Sequence, residues 1–226
     1  MSESFHWVNV DRKEYLCPED FDLGSRSGQS MQKDNGLLCA LRELLAEEWN
    51  GSRILFLGDE YPDPEGIAPE LFRTFYEHTV QLGYPGAYFD TMCESYRNVS
   101  GLFRDAEASV REHIEAYLWD TSEDRGVTYY NEYGIDRERP YEGLFLRWGK
   151  YEGYILNYTK RLCYSPYLTR SFDPDGTPCE WRDPLPWLLG YGRTQPPGPW
   201  LGDRIGFSEE RVEGFRFLEE ITIPDL

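Results

Sequence analysis

Residues 49–56 read Trp49-Asn50-Gly51-Ser52-Arg53-Ile54-Leu55-Phe56, and residues 200–207 read Trp200-Leu201-Gly202-Asp203-Arg204-Ile205-Gly206-Phe207. The two stretches share a Trp, a Gly two residues on, an Arg-Ile pair and a Phe. Working outward, Leu37-Leu38 and Leu188-Leu189 precede their tryptophans by the same interval. Further out, Trp7-Val8-Asn9-Val10-Asp11-Arg12-Lys13 lines up with Ile155-Leu156-Asn157-Tyr158-Thr159-Lys160-Arg161, and in that register Pro18 falls on Pro166. Asn9 lies 40 residues before Trp49 and Asn157 lies 43 before Trp200, so one three-residue gap reconciles the copies. Two blocks matching in the same order read as an internal repeat.

The chemistry of the repeated positions suggests a unit. The Trp is a large apolar anchor, the Gly supplies a turn, and the Arg can bond carbonyls or a carboxylate of the other copy. Trp7 to Val10 and Glu14 to Leu16 are short β-prone runs around the polar Asp11-Arg12-Lys13, hence a hairpin that Pro18 ends. Residues 22–35 are rich in Gly, Ser, Asp and Asn and read as a loop. Leu37, Leu38, Leu41, Leu44, Leu45 and Trp49 fall on one helical face, with Asn35 or Asp34 as cap and Asn50-Gly51 as stop. Ile54-Leu55-Phe56-Leu57 reads as a strand buried on both faces.

Helical patterns follow from Pro69 to Leu82 and, with Ser100 as cap, from Leu102 to Leu118. Leu144 to Trp148, Tyr154 to Tyr158 and Leu162 to Tyr164 read as a three-stranded meander. Seven prolines between 174 and 199 allow only a short helix there. Arg204 to Phe207 and Phe215 to Ile223 read as strands. The expectation is an α+β fold, mainly antiparallel sheet with helices, with an internal pseudo-twofold duplication of a hairpin–helix–strand unit. It is a single domain over 1–226, with repeat halves at 6–58 and 154–207 and a helical, acidic, Tyr-rich connection over 68–142.

The hairpin block with its Asn and paired basic residues, followed by the W-x-G-x-R-I block, resembles a scattered group of mainly bacterial proteins. Their pattern is close to N-x-T-K-K-E-Y, then W-A-G-D-R-I and a terminal G-D-Y. Asn157-Tyr158-Thr159-Lys160-Arg161 and Gly202-Asp203-Arg204-Ile205 carry it in the second copy. Lys13-Glu14-Tyr15 and Gly58-Asp59 carry it in the first. The resemblance covers about 100 residues in pieces. It implies an architecture and no activity, cofactor or catalytic residue.

Composition limits the function. Of 226 residues, 41 are acidic and 23 basic, a net charge of −18. Most of it lies in residues 1–150, with 29 acidic against 15 basic side chains. Such a surface repels phosphate backbones and anionic lipid, so no nucleic acid or membrane partner is expected. An apolar fraction of 40% excludes wholesale disorder. Five cysteines with no C-x-x-C, and only three histidines, exclude the common zinc spacings and argue against a disulfide framework. The N-terminus lacks a signal-peptide pattern, so a cytoplasmic location is expected.

Few residues suggest chemistry. Asp59, Glu60 and Asp63, with Glu65, cluster after the buried strand and are weak candidates for a divalent metal. A solvated acidic loop is the plainer reading. Asp173, Asp175 and Gly176 look like a turn. His6 could be a general base, but no nucleophile is evident beside it, and no cysteine has an obvious activating partner. His78 and His113 read as packing or surface residues. Tyr129, Tyr130, Glu132, Tyr133, Asp136, Glu138 and Tyr141 form an aromatic-acidic stretch of the kind that grips Arg and Lys side chains. A linker packing its tyrosines on the core is the alternative.

The expected function is therefore non-enzymatic: an acidic cytosolic protein that binds and masks a basic protein partner, as immunity or antitoxin-type inhibitors and nucleic-acid mimics do, with no cofactor. The alternatives are a metal-dependent hydrolase or small-ligand enzyme using the Asp59–Asp63 loop, and a structural subunit of an assembly.

Overall fold

The computed structural model describes residues 3–21, 30–31, 33, 35–58, 95–103, 152–192 and 194–224. The expected helices over 69–82 and beyond Phe103, the strand over 144–148 and most of the 68–142 connection lie outside them.

The hairpin forms as β1 (Phe5–Asn9) and β2 (Glu14–Leu16). Its turn is made by Asn9, whose Oδ1 accepts from the backbone N–H groups of Asp11 and Arg12. The turn closes on Lys13 at φ 55°, in the left-handed region. The helix spans Gly36–Ala46, and Asn35 caps it by accepting from Leu38 N at 2.8 Å. Leu37, Leu38, Leu41, Leu44 and Leu45 are buried, as their spacing predicts. β3 (Ser52–Gly58) follows, with every residue buried but the half-buried Arg53.

The helix that Ser100 is expected to cap lies beyond the described residues. Residues Ser100–Phe103 form a 3-10 turn, and the Ser100 hydroxyl accepts from Cys17 N at 2.9 Å. Just before it, β4 (Arg97–Asn98) lies parallel to β2. The second half contributes β5 (Tyr154–Asn157), β6 (Leu162–Tyr164), β7 (Arg170–Phe172), a short helix (Leu185–Leu189), β8 (Gly190–Tyr191), β9 (Arg204–Ser208), β10 (Arg216–Phe217) and β11 (Glu220–Thr222).

Among the described residues, a nine-stranded sheet runs β10-β6-β5-β9-β3-β1-β2-β4, with β8 also paired to β3 and a separate β7–β11 ladder. The sheet is mixed, with antiparallel pairs in the majority. The two hairpins and the central ladders are antiparallel, whereas β4, β8, β10 and β11 pair parallel. These four strands are not joined to their neighbours by hairpins, and parallel pairing needs such longer connections.

The registers on either side of the centre match. Trp7 faces Leu16 as Ile155 faces Tyr164. Asn9 faces Ile54 as Asn157 faces Ile205, and Trp7 faces Phe56 as Ile155 faces Phe207. At the edges Glu14 pairs Arg97 as Leu162 pairs Arg216. Between the halves, Arg53 faces Arg204 in an antiparallel ladder. Turn conformations match as well, with Lys13 and Arg161 at φ 55° and 54°, and Gly51 and Gly202 at φ 73° and 78°. A side chain at either glycine would be strained.

One face of the sheet carries the main core. Phe5, Trp7, Ile54, Phe56, Ile155, Ile205 and Phe207 pack there with Leu37, Leu38, Leu41 and Leu45 of the long helix. Trp49 and Trp200 are both buried in it, at 0% and 3% exposure. The long helix packs against β9 and the short helix against β3, so each half's helix covers the other half's strand. The opposite face buries Val8, Tyr15, Leu55, Leu57 and Tyr191 in a second cluster.

Where the halves differ, packing says why. Gly206 stands at the register position that Leu55 holds in the first half, and a side chain there would collide with Asn50 and the Tyr158 ring. Those two residues are hydrogen-bonded to each other at 2.8 Å. The long helix is further tied to the second half by Arg42, fully buried, which donates to Asp183 Oδ2 at 2.6 Å. Asp183 Oδ1 accepts from the Tyr164 hydroxyl at 2.6 Å and from Leu185 N at 2.9 Å.

Candidate functional site

An open cavity of about 360 Å³ lies at the outer end of the second hairpin. β5 supplies Tyr154, preceded by Glu152 and Gly153, and Glu209 follows the end of β9. Tyr154 pairs with Ser208, which brings Glu152 and Glu209 to the same end of the ladder. Ser165, Tyr167 and Leu168, just beyond β6, close the other side.

Local packing holds this arrangement. A Cβ on Gly153 would collide with the Phe207 ring and the Ser208 carbonyl, so only glycine lets the chain approach β9 so closely. The Tyr154 ring stands edge-on to Phe217, centroids 6.1 Å apart. Ser165 is buried and receives a weak bond from Tyr167 N at 3.4 Å. Tyr167 and Leu168 remain 43% and 64% exposed, while most large apolar side chains of the described residues are buried. Two carboxylates, two phenol rings and an exposed leucine around one opening suit an alkyl chain ending in a cation.

A polar cluster sits at the junction of the halves. Asp11 accepts from Arg53 Nε at 2.8 Å, Arg53 Nη2 at 2.6 Å and Arg53 N at 2.9 Å, and from Arg204 Nη1 at 3.3 Å. Burial works against the Asp11 carboxylate, but the Arg53 bonds and the charge of both arginines hold its pKa below the usual carboxylate range. Burial pushes the nearby Tyr96 phenol up to about 12; the Arg53 charge opposes that rise and Asp11 adds to it.

Other expected site residues fare differently. Tyr129, Tyr130, Glu132, Tyr133, Asp136, Glu138 and Tyr141 lie outside the described residues, as do Asp59, Glu60 and Asp63. Among the described residues no group of three or more His, Cys, Asp and Glu could hold a metal ion. Gly176 forms the expected turn, donating to the Asp173 carbonyl, with Asp175 accepting from Thr177 N. For His6 the structure corrects the sequence reading. Its Nε2 lies 3.8 Å from Cys17 Sγ, so a thiol does stand beside it. The signal was present in the hairpin register, because Trp7 pairs with Leu16 and places the next residues outward, His6 and Cys17, side by side.

The cavity itself was not legible in the sequence. Glu152, Tyr154, Ser165, Tyr167 and Glu209 are scattered over three segments and meet only through the β5–β6 and β5–β9 pairings. Among the described residues, no helix is long and apolar enough to cross a membrane. Comparison with protein-family models, with curated proteins and with solved structures returned no match.

Proposed function

We propose that this chain is a non-enzymatic acidic binding protein that takes up a basic segment of a partner protein. The observation that carries the reading is the opening walled by Glu152, Glu209, Tyr154 and Tyr167. A Lys or Arg side chain entering it would lay its methylenes on the phenol rings and Leu168 and bring its charge to the carboxylates. The net charge of −18 would steer such a partner and repel nucleic acid.

We also read the chain as a duplicated hairpin–helix–strand unit whose copies are related by a pseudo-twofold axis through the Arg53–Arg204 pair. The matched registers and turn conformations support this, together with the exchange of helices between halves. A duplicated scaffold has two equivalent positions at its hairpin ends, and the cavity occupies one of them.

The test is titration of a fluorescent Lys/Arg-rich peptide at about 50 mM and about 300 mM salt, spanning the range over which screening becomes strong. Affinity should fall with salt and should weaken several-fold in the E152Q/E209Q double variant. Equal binding by wild type and the double variant, or equal binding of a neutral peptide, would exclude the cavity as the basic-segment site.

A further inference from the structure

The two wall positions that Tyr154 and Ser165 hold at the cavity of the second half are held in the first half by an imidazole and a thiol. His6 precedes Trp7 as Tyr154 precedes Ile155, and Cys17 follows Leu16 as Ser165 follows Tyr164. Tyr154 and Ser165 line the cavity. At the matching place His6 Nε2 lies 3.8 Å from Cys17 Sγ, within reach for a sulfur hydrogen bond. We propose that Cys17 and His6 form a reactive thiol site that is modified by soft electrophiles at neutral pH.

Three features favour this site. First, Cys17 is only half-buried, whereas Cys39, Cys163 and Cys179 are buried. Burial also raises the pKa of the Cys163 and Cys179 thiols, which keeps them protonated. Second, both members are held in place. His6 lies within β1 opposite Leu57 of β3 and stands edge-on to the Tyr15 ring, and Cys17 N donates to Ser100 Oγ. Third, an imidazole beside a thiol is the arrangement that raises the thiolate fraction near pH 7.

With iodoacetamide the step balances. The Cys17 thiol proton passes to His6 Nε2. The sulfur electron pair forms a bond to the reagent's methylene carbon, the carbon–iodine bond breaks, and iodide leaves. The imidazolium then returns its proton to water. The product is one thioether per chain, without turnover, which is compatible with a binding protein and does not depend on the cationic-segment reading.

The experiment measures the alkylation rate of Cys17 by peptide mass spectrometry near pH 6.5, in the native protein and in urea-unfolded chain, where it is an ordinary thiol. Native Cys17 should react about tenfold faster than unfolded Cys17 and faster than the other described cysteines. H6Q should bring the native rate down to or below the unfolded one, while C17S should remove the label. A native wild-type rate at or below the unfolded rate overturns the proposal, and needs no variant to fold. A native H6Q protein that keeps the fast rate overturns the role of His6.

Discussion

Arg53 and Arg204 face each other across β3 and β9, and one carboxylate, Asp11 of the first hairpin, binds both. Arg204 also donates to the Gly51 carbonyl at 2.9 Å, so it reaches into the turn of the opposite half. The matching hairpin position in the second half is Thr159, whose hydroxyl accepts from Arg204 N at 2.9 Å as Asp11 accepts from Arg53 N. The two hairpins thus make the same backbone bond, but only the first supplies a charge.

Replacing Asp11 by Thr therefore separates the two roles. The bond to Arg53 N can persist, while both guanidinium groups lose their carboxylate. Arg53 and Arg204 are partly solvated, which limits the cost, and D11T should lower stability by about 1 kcal/mol. Urea unfolding reads this as a lower midpoint with an unchanged slope.

A second asymmetry concerns the hairpin asparagines. Asn157 Nδ2 donates to Asp203 at 2.8 Å, and Lys160 pairs with the same carboxylate. In the first half Ser52 stands in place of Asp203, and Asn9 Nδ2 is buried with no hydrogen-bond partner among the described residues. D203S would impose the first half's arrangement on the second. It should leave Asn157 equally unsatisfied and destabilise the protein by about 1–3 kcal/mol, measured by chemical denaturation.

The Arg42–Asp183 pair is fully buried, and Tyr164 shares its carboxylate. Burial, reinforced by the Asp183 charge, pushes the Tyr164 phenol far above its ordinary range, so it stays a donor. Removing the acid with D183A takes this carboxylate from both the buried Arg42 guanidinium and the Tyr164 hydroxyl and should cost about 3–5 kcal/mol. Y164F removes one bond and should cost about 1 kcal/mol. Thermal melts of both variants would show whether the acid outweighs the phenol in this order.

Glu14 sets the pH response. Burial alone would raise its pKa, but bonds from Arg97, Trp49 and Arg12 bring it below the ordinary carboxylate range. A carboxylate with a depressed folded-state pKa adds stability that is complete above its unfolded pKa and is lost as pH falls through the folded value. The stability gap between wild type and E14Q should therefore be largest near pH 7 and close below about pH 4. Paired urea titrations from neutral to acid pH measure the gap; a constant gap would mean that Glu14 is not held in its charged form by these bonds.

Much of the fold is legible in the sequence. The hairpin followed from alternation around Asp11-Arg12-Lys13, the helix from the leucine spacing and Asn35, and β3 from Ile54 to Leu57. Sequence comparison also aligned the residues that share a register: Asn9 with Asn157, and Ile54 with Ile205. Arg97-Asn98, at one sheet edge, escaped notice because a two-residue strand carries no periodicity; Arg216-Phe217, at the other, lies in the run Phe215 to Ile223 that reads as one strand, which the structure divides into β10 and β11. Their pairing is made by backbone bonds such as Arg97 N to the Lys13 carbonyl and Arg216 N to the Arg161 carbonyl.

What the amino-acid sequence determined by itself was local and chemical. Turn residues, caps, apolar runs and net charge act within a few positions or over the whole surface, and need no partner to be recognised. Tertiary structure alone decided which distant residues meet: Glu152 and Glu209 at one opening, Arg42 with Asp183 across 141 positions. Those contacts depend on strand order and helix exchange, which are settled by burying two apolar faces at once. Many sequences of the same local pattern could satisfy each step separately, and only the packed sheet selects the combination.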